Sequence, residues 1–121
     1  MVLVDTSVWI SHLRQRDVHL ELLLNDAQVI CHEWVVGELA CGNLRNRREI
    51  LSLLQSLPSA PVINHEELLF FIEQNSLMGS GVGIVDAHLL ASAKFTEAPL
   101  WTSDTRLKRI AARLKLFYQP K

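Results

Sequence analysis

The chain has 121 residues, 49% hydrophobic and 21% charged, which suffices for one ordinary core and is too short for two. Twelve Lys and Arg stand against 13 Asp and Glu, and the formal net charge of −1 excludes a protein that coats nucleic acid by bulk positive charge. Two cysteines, Cys31 and Cys41, exclude a disulfide scaffold and read as small core hydrophobes.

Val2-Leu3-Val4 predicts a strand buried on both faces, followed by Asp5-Thr6-Ser7, residue types that cap helices. Val8, Trp9 and Leu13 share one face of the helix that follows. A second amphipathic segment runs from about His19 to Asn25, and Val29-Ile30-Cys31 reads as another buried strand. From Glu33 to Asn43 the apolar positions Val35, Val36, Leu39 and Ala40 have helical spacing, with Gly42-Asn43 as the stop. A helix from Arg47 to Leu57 ends before Pro58.

Pro61-Val62-Ile63 reads as a short strand and His65 to Leu77 as a helix. Gly79, Gly81 and Gly83 lead into a helix from Ile84 to Phe95. No strand–glycine–helix unit with a following Lys-Ser/Thr appears, so this stretch reads as a flexible loop, not a phosphate cradle. Leu100-Trp101-Thr102 gives one more strand, Asp104 to Leu114 a helix, and Leu116-Phe117-Tyr118 an edge strand. Short strands alternating with helices predict a single domain over residues 1–121, a three-layer α/β/α fold with a central, mostly parallel sheet. The longest apolar runs fall far below the ~20 residues that span a bilayer, and a strand beginning at the second residue leaves no room for a cleavable signal, so a cytoplasmic protein without a membrane partner is expected.

Asp17, Glu21, Glu49, Glu66, Glu67 and Glu73 fall on polar helix faces. Four other acids do not fit a solvated surface. Asp5 and Asp104 directly follow apolar strands, Asp86 lies in the first turn of an apolar helix, and Glu38 sits within Val35-Val36-Gly37-Glu38-Leu39-Ala40. In open parallel sheets ligands bind beyond the carboxyl ends of the strands, the edge to which all four belong. Carboxylates gathered there repel one another without a cation, and hard divalent ions with oxygen ligands are their natural partners. Singly, Asp5 and Asp104 read equally well as N-caps and Asp86 as a favourable charge at a helix start; Glu38 caps nothing.

Four segments, in order, carry a resemblance: Val2-Leu3-Val4-Asp5-Thr6-Ser7-Val8-Trp9, Gly37-Glu38-Leu39-Ala40-Cys41-Gly42, the run from Gly83 through Asp86 and His88 to Ala93, and Leu100-Trp101-Thr102-Ser103-Asp104. The chain resembles PIN-domain ribonucleases, specifically the toxins of VapBC-type toxin–antitoxin pairs. The resemblance implies a metal-dependent endoribonuclease with Asp5, Glu38, Asp86 and Asp104 as its catalytic acids. It further implies Mg²⁺ or Mn²⁺ on Asp5, Asp86 and Asp104, with Glu38 completing the shell directly or through water. The hydroxyls of Thr6, Ser7, Thr102 and Ser103 would orient those carboxylates. Many relatives carry a further acid two residues after the last Asp, where this chain has Arg106.

The implied partners are an RNA substrate, a VapB-type antitoxin and a second copy of the chain. Arg45, Arg47 and Arg48 form one basic cluster for gripping phosphates, and Arg106, Lys108, Arg109 and Arg113 another. Trp9, Leu13, Val35 and Val36 form a candidate contact face. Two rival functions remain at this point: aspartyl-phosphate chemistry on Asp5, and a catalytically inert PIN-like binding module. Against the first, Ser7 replaces the second acid such families need and no Lys follows the late strand; against the second, all four acids are present.

Overall fold

A computed structural model describes residues 1–121 and sets Val2–Val4 (β1) at the centre of a parallel sheet ordered β2-β1-β3. β2 is Val29–Ile30 and β3 is Leu100–Trp101. Leu3 pairs with Ile30 on one side and with Leu100 on the other. Every residue of the three strands is buried, as strands covered by helices on both faces must be. Single parallel bridges widen the sheet at both edges, Cys31 to Ser59 beyond β2 and Leu100 to Phe117 beyond β3.

Seven helices cover this sheet: α1 Thr6–Arg14, α2 Val18–Asn25, α3 Glu33–Ala40, α4 Arg47–Ser56, α5 His65–Gln74, α6 Ile84–Thr96 and α7 Thr105–Arg113. None is long and apolar enough to cross a membrane. α6 buries every residue from Ala87 to Ala93, whereas α7 buries only Leu107, Ile110 and Ala111 and turns its basic residues outward. The chain leaves β1 for one edge of the sheet and returns along the other. The carboxyl end of β1 is therefore the switch point at which open α/β sheets form crevices.

Several expectations need correcting. Pro61-Val62-Ile63 forms no strand: Pro61 has no N–H to donate, and the pairing with Cys31 is made earlier, by Pro58 and Ala60. Leu116-Phe117-Tyr118 pairs with β3 through one bridge only. α3 stops at Ala40, so Cys41 is its exposed C-cap, not a core residue. α5 stops at Gln74 because Ser76 takes a left-handed φ of 52°. Trp9 and Val35, expected on a contact face, are core residues at 5% and 0% exposure.

Candidate active site

Asp5 follows β1 directly, and its backbone N–H donates to the carbonyl of Trp101 on β3 at 2.9 Å. The residue stands at the N-cap of α1, but its side chain makes no capping bond. Its Oδ2 instead accepts two hydroxyl hydrogen bonds, from Ser7 and from Thr102, each at 2.7 Å. The backbone N–H of Ser103 donates to Ser7 Oγ at 3.0 Å, and that of Asp104 to Thr102 Oγ1 at 3.1 Å. The ends of β1 and β3 are thus sewn together around a carboxylate that is 95% buried. No protein group donates to its Oδ1. The Ser103 hydroxyl takes no part; only its backbone does.

Asp104 sits at the equivalent place after β3, and its Oδ1 does cap its helix, accepting from Leu107 N at 2.9 Å. Its capping and its membership of an acidic group are therefore compatible. Glu38 differs from expectation. α3 turns Val35 and Leu39 inward and Glu38 outward, so this carboxylate is exposed, with Oε1 held by the Thr6 hydroxyl at 2.7 Å.

Asp86 lies in the first turn of α6, where the dipole and the Gly83 N–H favour its charge. Its carboxyl is nevertheless pushed up to about 6, first by burial and then by the negative fields of Asp5, Asp104 and Glu38 in turn. All four acids therefore act on one region. They converge in field, not in contact: no three His, Cys, Asp or Glu side chains stand close enough to enclose one ion. The donor set still suits a hard divalent cation, being made of carboxylate oxygens with Asp5 Oδ1 uncommitted.

The basic candidates lie at two places. Arg45, Arg47 and Arg48 precede or begin α4, and Arg47 donates to the Gly42 carbonyl at 3.2 Å. Arg106 and Arg109 are exposed on α7; Arg106 lies across Gly81, whose φ of +87° and missing side chain admit it. Read as merely flexible in the sequence, that loop needs a glycine chiefly for its left-handed φ, and a residue 25 positions away adds to the need. His88 is no candidate ligand here. It is buried against the Trp34 ring, 5.4 Å away and nearly parallel, and burial lowers its proton affinity.

The PIN domain family matches residues 2–113. Two curated relatives are 47% identical over 113 residues, covering 93% of this chain and 91% of each relative; both are named Ribonuclease VapC32, from two strains of Mycobacterium tuberculosis. The solved structure of FitAcB from Neisseria gonorrhoeae superposes with a TM-score of 0.64 at 22% identity, covering 93% of this chain and 94% of that one. At that identity the likeness concerns the fold.

Proposed function

The chain belongs to the PIN-domain family, and from that premise we propose that it is a metal-dependent endoribonuclease acting as the toxin of a toxin–antitoxin pair. The name of the Mycobacterium relatives supports RNA cleavage. The observation that supports the reading best is the Asp5 side chain, clamped by two hydroxyls at the carboxyl end of β1 where a simple N-cap would have bonded its own helix, together with the negative fields of Asp5, Asp104 and Glu38 that reach Asp86.

In this reading Asp5, Asp86 and Asp104 would hold Mg²⁺ or Mn²⁺, drawing together around it from their separate places in the metal-free chain. When bound, the ion supplies Lewis-acid polarisation of the scissile phosphate and a water acidic enough to attack near neutral pH. Ser7 and Thr102 fix Asp5 through its Oδ2, which would leave Oδ1 available to an ion. Glu38 would serve as the proton acceptor through its free Oε2, since Thr6 engages Oε1, while Asp104 has committed one oxygen to its helix. Arg45, Arg47, Arg48, Arg106 and Arg109 hold the strand by its phosphates.

Unchecked RNA cleavage harms the producing cell, so the reading includes a small antitoxin that covers the acidic pocket with a basic side chain, and a cytoplasmic site of action. It also includes a second copy of the chain. Cleavage of total RNA by the purified protein with Mn²⁺ tests the proposal. Asp5→Asn and Asp86→Asn should each lower the rate by about 100-fold or more. Undiminished cleavage by both variants, or in excess chelator, would overturn it.

A further inference from the structure

Arg106 and Arg113 stand at opposite ends of α7, and both reach across to the backbone joining α5 to α6. Arg106 Nη1 donates to the Gly81 carbonyl at 3.4 Å, and Arg113 Nη2 to the Asn75 carbonyl at 2.9 Å. Arg109 lies between them, and the spacing 106, 109, 113 sets all three on one side of the helix. All three are exposed, and none is paired with a carboxylate: the ion pair in this chain joins Arg16 to Glu21. α7 itself contains no acid.

Arg106 is seated by shape as well as by its hydrogen bond. A Cβ on Gly81 would stand 2.7 Å from Arg106 Cδ, so the arginine stem lies directly on bare backbone. A guanidinium tethered to a carbonyl has already lost part of its rotamer freedom, yet keeps its other N–H groups for an outside acceptor. The stripe also has a direction. It starts two residues after Asp104, at the edge where the acids gather, and Arg113 lies about 10 Å further along the helix at ~1.5 Å per residue.

We propose that Arg106, Arg109 and Arg113 form the track along which the backbone of single-stranded RNA runs away from the acidic pocket. The proposal deepens the ribonuclease reading and rests on it. Backbone phosphates match a row of unpaired, forked donors without base readout, so this track fixes register and leaves sequence choice to other groups. The neighbours are less suited. Lys108 turns aside over the Phe117 ring, 5.6 Å from its centroid, and in the other basic cluster Glu49 shares a hollow with Arg47 and Arg48 and cancels part of their field.

The test separates binding from cleavage. With Asp86→Asn as background and chelator present, anisotropy of a labelled mixed-sequence RNA oligonucleotide is followed against salt. Arg109→Gln and Arg113→Gln should each weaken binding and flatten the plot of log affinity against log salt by about 0.7, the single-strand value per phosphate contact. Lys108→Gln removes the same charge off the stripe and should leave the slope unchanged. Equal losses from Lys108→Gln would reduce the effect to bulk charge, and a loss confined to Arg48→Gln would assign the strand to the other cluster; either result overturns the track. Arg113→Lys guards against a folding artefact, since it keeps the charge and should retain most of the slope. Cleavage by the otherwise wild-type protein is run alongside. If it cuts RNA while the arginine variants bind normally, the track alone is wrong; if it cuts no RNA, the ribonuclease reading has failed.

Discussion

Asp5 and Asp104 occupy the same kind of position, between a strand and a helix, yet spend their oxygens differently. The Asp104 side chain caps α7, while that of Asp5 accepts no backbone N–H of α1 and takes the hydroxyls of Ser7 and Thr102 instead. Losing one donor to a buried carboxylate has a calculable consequence. Thr102→Val keeps the shape and removes both the charge-assisted bond to Asp5 and the acceptor of the Asp104 N–H, so it should cost at least about 1.5–3 kcal/mol in urea unfolding at pH 7. A change below 0.5 kcal/mol would mean that the clamp is not holding Asp5. For Asp86 the sign is opposite to that of a useful cap. Its proton is held up to about pH 6 in the folded chain, against 3.8 for the free side chain, so between these values the folded state binds more protons than the unfolded one. Stability of the metal-free protein should therefore fall as pH rises from about 4 to about 6, by on the order of 1 kcal/mol after solvent screening. Asp86→Asn should flatten that slope and melt higher than wild type in chelator at pH 7. A lower melting temperature would show that the charge serves the α6 terminus. The four acids stand out in the sequence because apolar runs surround them. Which oxygen faces where does not, because Thr6, Ser7 and Thr102 reach their carboxylates through space, Thr102 across 97 positions.

At the scale of elements, helices announce themselves wherever one face is apolar. The α7 spacing of Leu107, Ile110 and Ala111 sets its buried side without ambiguity. Short strands are harder. Pro61-Val62-Ile63 has the composition of a strand, but pairing is decided by which N–H and C=O groups meet Cys31, and these belong to Ala60 and Pro58. The loop before α6 hides its constraint in the same way. Gly81→Ala should lose about 1 kcal/mol, chiefly from the left-handed φ of 87°, with a further part from displacing Arg106. A double-mutant cycle with Arg106→Ala distinguishes the two. Coupling of about 0.5 kcal/mol or more is expected, because truncating Arg106 removes the three atoms nearest the new methyl. Strict additivity would mean that the arginine merely drifts over the loop.

For the whole molecule, a cation that binds only the folded state acts as a stabiliser by mass action. Mn²⁺ at 100 times its dissociation constant should add about 2.7 kcal/mol and raise the melting temperature, with much less effect on Asp86→Asn. Identical metal responses in the two proteins would mean that the carboxylates share no ion. Expression alone should also arrest growth, and the Asp86→Asn protein should not. The sheet order adds a constraint in time. β1 lies between β2, which follows it within about 30 residues, and β3, which follows about 100 residues later, so it is made before both of its partners and is completed last. At roughly 5–20 residues per second, Asp5 waits on the order of 5–20 s for Thr102. A nascent chain released before Leu100 has neither β3 nor the clamp, and should be inert in the cleavage and growth assays while its open β1 edge invites aggregation. The order in which these strands are made thus delays the clamp on Asp5 until β3 and Thr102 have followed it by about a hundred residues.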